Sequence, residues 1–392
     1  MTTFSAGFCL LRFRLALRTA RLGPGRALIK ARRAWRLTGI LIAMLSSLAL
    51  QGCGGAGPSS DGTPTVATIP VRGEAVVLSG LSPASLRLPV ATVQSVYGYT
   101  ETGARIDFAA GQDWQVSGAG LVRTATSRLP DFAGYRYTTS SGTNFEFSPD
   151  PRNPPLLIPF QVYVDYRSTR ADRLLTPTAG VARPGSVVCL GDSIAAGAHT
   201  IASFFSNSDA DSWCGLLRKH LGAAAQVLNP SVAGGTLASV LPDLPALTAN
   251  RPQLVVLAFG MNDHTQGAAG LDAFEADLTS AVRSLQTAGS RVILLGFFQQ
   301  NTRWVREDTA QTAAYNAVIA RVALRQAVPF VDVRKAFERS APDSNVIEAR
   351  TGDFMHHPNN YGHRVYFSLL LPHVLAAPVW ASEVPDAVDL AD

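Results

Sequence analysis

The chain has 392 residues, 47% of them hydrophobic and 16% charged, a balance that fills a sizeable core and excludes a disordered or low-complexity protein. The formal net charge of +5 is uneven, because residues 1–53 hold nine basic side chains (Arg12, Arg14, Arg18, Arg21, Arg26, Lys30, Arg32, Arg33 and Arg36) and no Asp or Glu. The remainder carries 25 basic groups, 34 less those nine, against 29 acidic ones; this net of −4 has the wrong sign for a nucleic-acid surface.

Residues 37–50 form an apolar stretch just after Arg36, short for a transmembrane helix. A basic region, an apolar core and small residues at the end predict a signal peptide over residues 1–53. Its end, Leu50-Gln51-Gly52-Cys53, resembles the bacterial lipobox. That resemblance implies a lipoprotein anchored to the membrane by acyl chains on Cys53, the new N-terminus. Gly54, by similarity to enterobacterial sorting, implies the outer membrane, on its periplasmic or surface face. An ordinary secretory signal that happens to contain a cysteine is the alternative. Residues 54–64, rich in Gly, Pro, Ser, Asp and Thr, read as a flexible linker.

Residues 65–180 read as a β-rich accessory domain. Runs at 65–71, 74–78, 85–93, 115–122, 135–139, 144–147 and 160–166 have alternating or β-branched character. Pro89 makes the third an edge strand or a broken one. Many short strands with frequent turns predict a β-sandwich, jelly-roll-like architecture. Tyr97, Tyr99, Trp114, Tyr135 and Tyr137 have faces that stack on sugar rings, although core positions are their more ordinary use.

Residues 183–380 alternate strands and helices. Strand-like runs fall at 187–190, 226–228, 254–259, 292–297 and 330–333, helical stretches at 212–221, 237–248, 273–288 and 310–326, and a last helix at 366–377. Phe274, Leu278, Val282 and Leu285 make an apolar helical stripe, with Gly289 as a C-cap. The alternation predicts an α/β fold, a doubly wound, flavodoxin-like parallel sheet. The first run ends in Gly191-Asp192-Ser193, on the turn where open sheets keep their reactive groups; Asp192 and Ser193 are also able to begin a helix. Cys189 and Cys214 are either two buried thiols or a disulfide.

Four stretches fall at or after strand ends: Gly191-Asp192-Ser193, the run 229–235 with Gly234, Gly260-Met261-Asn262-Asp263, and the run 353–359 with Asp353, His356 and His357. In order and spacing they resemble the SGNH (GDSL-type) hydrolase family over residues 185–378, half the chain. The chemistry explains the residue types. A serine hydroxyl is a weak nucleophile until a base takes its proton, and histidine serves near neutral pH. A carboxylate orients that histidine. The oxyanion needs preorganised donors, each worth roughly 3–4 kcal/mol of barrier. The resemblance implies Ser193 as nucleophile, with Ser193 N–H, Gly234 N–H and the Asn262 amide as those donors. Glycine at 234 is expected to let the backbone approach closely.

The last block departs from the family pattern. Counting Asp-x-x-His from Asp353 selects His356, whereas the His-Pro-Asn step selects His357; the run of Pro358, Asn359, Gly362 and His363 favours His357 as base. Asp353 then stands four residues before it, and a Ser–His dyad without Asp353 stays open. His264 lines the pocket or lies on a surface loop, and His199, His220, His363 and His373 read as structural or exposed. The seven histidines show no metal-ligand spacing, and neither metal nor organic cofactor is expected.

These residues predict a serine esterase working through an acyl-enzyme. An acetyl ester on carbohydrate is the preferred substrate, because the layout resembles two-domain acetyl-xylan-type esterases at a polysaccharide-facing envelope. Gln299, Gln300, Asn301, Arg303 and Trp304 suit a sugar or form a solvated loop. A lipase or lysophospholipase is the alternative within the class; an acyl transferase and a non-catalytic carbohydrate-binding protein lie outside it.

Overall fold

The computed structural model describes residues 68–118, 120–135, 157–169, 183–247, 249–302, 304, 308–338 and 346–375, all within the unit Thr63–Asp392. The signal at 1–53 with Cys53, the linker at 54–64, the run at 144–147, Tyr137 and Arg303 lie outside the described residues.

The β-rich part contains β1 (Ile69–Val76), β2 (Ala84–Ser85), β3 (Val90–Tyr99), β4 (Arg105–Asp107), β5 (Trp114–Ser117), β6 (Gly120–Arg123) and β7 (Val162–Ser168). They form two antiparallel sheets, ordered β1-β7-β3-β4 and β2-β6-β5. Val71, Val76, Val96, Val162, Val164 and Tyr166 of the first share one apolar cluster with Trp114 and Leu121 of the second. The expected runs at 65–71 and 74–78 are one strand, β1, carried through by a register shift between Val71 and Glu74. The run at 115–122 is instead a hairpin, with Gly118 at φ +60° in the turn between β5 and β6. Pro89 stands just before β3, in the break that follows β2. Tyr97 and Trp114 are buried, and Trp114 donates its indole N–H to Phe108 O at 2.9 Å, so both are core residues.

The second part is built on β8 (Ser186–Gly191), β9 (Gln226–Leu228), β10 (Leu254–Ala258), β11 (Arg291–Leu295) and β12 (Phe330–Val331). All pair in parallel, in the order β12-β11-β10-β8-β9. The chain leaves β8 toward β9 on one side and returns to β10 on the other, so the flavodoxin-like switch point lies between β8 and β10. Consecutive residues of β8 and β10 are buried, which requires cover on both faces. That cover comes from helices α1 (Ile201–Ser206), α2 (Trp213–Leu221), α3 (Leu237–Val240), α4 (Leu244–Leu247), α5 (Leu271–Thr287), α6 (Thr309–Arg325), α7 (Val333–Glu338), α8 (Val346–Arg350) and α9 (Asn360–Val374).

Three helical expectations change. The stretch 237–248 is broken into α3, a 3-10 turn and α4, because Pro242 and Pro245 supply no N–H to a continuing ladder. The last helix starts earlier, at Asn360, where the Asn359 side chain accepts Gly362 N–H at 3.0 Å. No helix begins at Ser193; residues 192–199 are a chain of turns and α1 starts at Ile201. The cysteine question closes as a disulfide, Cys189–Cys214, tying β8 to α2.

The two parts meet on the chain leading to α9. β1 contacts α8 and α9, and Ala75, Tyr97 and Tyr163 join the apolar cluster of the parallel sheet. Gln161 donates to Thr351 O at 3.1 Å.

The disulfide closes a loop of 25 residues, for which chain entropy suggests about 3.5 kcal/mol of stabilisation. Urea unfolding with reductant present, or of Cys189→Ala/Cys214→Ala, should show that loss. Coincident transitions for the oxidised, reduced and substituted proteins would mean the crosslink is not formed.

Candidate active site

Ser193 sits two residues past β8, and turn hydrogen bonds hold it there: Ala196 N–H to Asp192 O at 3.0 Å and Ala198 N–H to Ser193 O at 2.9 Å. Asp192 points back into the protein and accepts Ile194 N–H at 2.9 Å. The loop after β9 is tied alongside, since Val232 N–H reaches Gly191 O at 3.2 Å and Ser231 Oγ reaches Cys189 O at 3.3 Å. Gly234 on this loop has φ +75°, a conformation that L side chains rarely adopt, yet a Cβ there would meet open space. Backbone angle, not close approach, is therefore what demands glycine at 234.

Asn262 follows β10. One of its amide N–H groups donates to Gly235 O at 2.9 Å, linking the two loops and leaving the second N–H. Asp263 pins this arrangement by accepting Leu237 N–H at 2.9 Å and Gly260 N–H at 3.0 Å.

Asp353, His356 and His357 lie on the loop between α8 and α9. Its neck is closed by Gly352 N–H to His357 O at 2.8 Å and by an antiparallel bridge between Thr351 and Pro358. Asp353 Oδ1 accepts three backbone N–H groups, from Met355 (2.8 Å), His356 (2.9 Å) and His357 (3.1 Å). Its Oδ2 lies 2.6 Å from His357 Nδ1, and His357 Nε2 lies 2.9 Å from Ser193 Oγ. The five-atom path serine hydroxyl, imidazole, carboxylate is thus continuous across 164 residues of sequence. Ser193 and His357 are 6% and 8% exposed, enough for a small electrophile to approach.

His356 occupies a different place. It is buried, stacks on Trp304 with centroids 4.5 Å apart, and has Nδ1 3.3 Å from Asp353 Oδ2. Burial first, then the neighbouring His357, pushes it down to about 3, so it stays neutral beside the carboxylate. Asp353 itself is pushed up by burial, but the charges of His357 and His356 and the His357 hydrogen bond outweigh that, and the carboxyl lies well below the usual range. Behind the serine, burial raises Asp192 to about 7 and Asp263 to about 6.

Several residues differ from expectation. His199, read as structural or exposed, stacks on His357 at 4.6 Å; its φ of +64° and the approach of its carbonyl to Gly352, where a Cβ would lie 2.1 Å away, place it there. No local motif marks that contact. His264 is buried, with Nδ1 2.6 Å from Met261 O, instead of lying on a surface loop. Gln300, Asn301 and Trp304 are buried supports, Asn301 holding Phe354 O at 2.8 Å, instead of a solvated sugar-facing loop. His199, Asp353 and His357 bring one possible metal ligand each within 4.8 Å of one another. The two rings are nearly parallel, 17° apart, so one ion cannot lie in the plane of both as ligation requires.

A Ser-His-Asp chain at the switch point of a parallel sheet defines the class as a serine hydrolase of the α/β type. Comparison with known proteins agrees: residues 189–365 match the GDSL-like Lipase/Acylhydrolase family, a group of ester-hydrolysing enzymes. The chain is 33% identical to Esterase TesA of Pseudomonas aeruginosa over 140 residues, which is 35% of this chain and 66% of that esterase. Among solved structures it is similar to a TesA crystal structure (25% identity, 48% of this chain, 97% of that one, TM-score 0.38). It is also similar to a lipase/acylhydrolase from Enterococcus faecalis (20% identity, 50% and 99%, TM-score 0.42).

The geometry distinguishes the two histidines. Ser193→Ala and His357→Ala should each lower ester turnover by about 100- to 10,000-fold, while His356→Ala should lower the melting temperature and retain far more activity. Initial-rate kinetics beside thermal melts would check this; equal losses for both histidine variants would undo the assignment.

Asp192 predicts a pH signature. A carboxyl raised from 3.8 to about 7 in the fold stabilises it fully below the unfolded value and loses that contribution as pH rises through the folded value. The swing is roughly 4 kcal/mol. Asp192→Asn, which keeps an acceptor for Ile194 N–H, should therefore gain stability relative to wild type between about pH 4 and pH 7. Melting curves across that range test it, and a constant difference would contradict a raised carboxyl.

Proposed function

We propose that the protein is a serine esterase that hydrolyses small acyl esters, acetyl in the first place, on carbohydrate. The carrying observation is the continuous Ser193–His357–Asp353 hydrogen-bonded chain. In this reading His357 takes the Ser193 proton as Oγ attacks the ester carbonyl. The tetrahedral oxyanion is held by Ser193 N–H, Gly234 N–H and the free N–H of Asn262. Collapse breaks the bond to the alcohol, which leaves with the proton from His357. Water, deprotonated by His357, then releases the acid and restores Ser193. Asp353 holds the imidazole with Nδ1 protonated and compensates the imidazolium.

The leaving alcohol must lie on the base's side, since His357 protonates it. There His199 meets Phe204 edge-on at 5.3 Å, and Phe204 and Phe205 are 42% and 38% exposed. This ledge suits the apolar face of a sugar ring. The same exposed pair favours the second reading, a lipase or lysophospholipase taking longer acyl groups. The address is a lipid-anchored place in the cell envelope, through Cys53; the Cys189–Cys214 disulfide supports an oxidising compartment. Residues 65–180 act as an accessory domain to the hydrolase region at 183–380.

Hydrolysis of p-nitrophenyl acetate against octanoate by wild type and Ser193→Ala tests this. A Ser193-dependent preference for acetate is the expected outcome. A preference for octanoate would transfer the assignment to the lipase reading, and folded wild type inert on both would overturn the esterase reading.

A further inference from the structure

Asp353 and His357 are separated by one residue more than the family spacing, and the residue after Asp353 absorbs the difference. Phe354 has φ +59°, in the left-handed region that a non-glycine residue rarely adopts. Its ring is fully buried, and not among residues of the parallel sheet. It enters a socket from the β-rich part: Phe132 edge-on at 5.2 Å, Tyr135 edge-on at 5.6 Å and Phe160 at 6.4 Å, with Val77 in the same cluster. Phe132 and Tyr135 stack on each other at 4.8 Å, and Phe132 N–H is fixed to Leu78 O at 2.8 Å, so the socket is itself rigid. Two residues before Asp353, the Thr351 carbonyl takes the Gln161 side chain, whose amide oxygen is in turn held by Tyr163 OH at 2.7 Å. Asn301 donates its side-chain amide to Phe354 O at 2.8 Å and its backbone N–H to Met355 O at 2.9 Å.

We propose that the aromatic socket of Phe132, Tyr135 and Phe160 is a positioning device for the catalytic carboxylate: by burying Phe354 in its left-handed conformation, the β-rich part sets Asp353 against His357. The proposal rests on the esterase reading for its kinetic consequence. The geometry of the Asp353–His357 pair is its subject whatever the substrate. Burial of an aromatic ring offsets the left-handed cost, so the socket holds the strained turn. The socket anchors the first of the three residues between Asp353 and His357, in a turn that keeps both oxygens of Asp353 engaged.

The test compares Phe132→Ala with Leu121→Ala, a core substitution elsewhere in the β-rich part, using the full chain well below the melting temperature of each. Phe132→Ala should lower kcat on p-nitrophenyl acetate about 10- to 100-fold with KM within about twofold, and Phe132→Leu should restore most of it. Leu121→Ala should lower the melting temperature and leave kcat unchanged. Phe354→Gly separates strain from anchoring: glycine accepts the backbone angle but offers no ring, so kcat should fall there too. A readout independent of any substrate is the downfield proton resonance of the short His357 Nδ1–Asp353 hydrogen bond, identified by its absence in His357→Ala. It should persist in Leu121→Ala and be lost or broadened in Phe132→Ala. Should Phe132→Ala fail to fold, Tyr135→Ala and Phe160→Ala carry the same comparison. Unchanged kcat and an unchanged resonance in folded socket variants would overturn the proposal. If wild type cleaves no ester but the resonance responds as stated, the positioning role stands and the esterase reading fails.

Discussion

The arrangement depends on keeping one carboxylate charged inside the protein. An isolated buried carboxylate would take up a proton, because desolvation penalises the ion heavily. Asp353 avoids this beside His357 and His356, with the His357 imidazole on one oxygen and three backbone N–H groups on the other. Gathering three successive N–H groups around one oxygen forces the chain to turn tightly. The positive φ at Phe354, the closed neck at Gly352 and the bridge between Thr351 and Pro358 all follow from that demand.

The other acidic groups near the serine answer burial differently. Burial raises both Asp192 and Asp263 toward neutrality, and the backbone N–H groups that each accepts do not outweigh it. Of these three carboxyls, the one beside His357 is held low. This contrast, produced by the nearness of the His357 and His356 imidazoles, sets a negative charge against His357 Nδ1.

Much of the parallel sheet was legible in the sequence, because fully buried strands leave short apolar runs bounded by glycine, and the five runs fall on β8 to β12. The first three reactive blocks were legible for the same reason: they follow β8, β9 and β10, whereas the last lies between α8 and α9. The register of the last block was less so. Spacing from Asp353 and the His-Pro step disagree, and only the fold shows that a left-handed Phe354 reconciles an aspartate with a histidine four positions on. His199 was missed because its role comes from ring stacking with a residue far along the chain. The β-rich part was legible as strands but not in their boundaries, since a bulged strand and a hairpin with a two-residue turn have the same local alternation as two strands and one.

The closure of the site over long stretches of chain has a kinetic side. Ser193 meets His357 across 164 residues, and Gln161 meets Thr351 across 190. Pairs so remote form late, after the entropy of closing the intervening chain has been met. The strands β8, β9 and β10, by contrast, lie within some seventy positions of one another and can assemble earlier. The Ser193–His357 pair therefore depends on remote closures of the chain, not on the sheet alone.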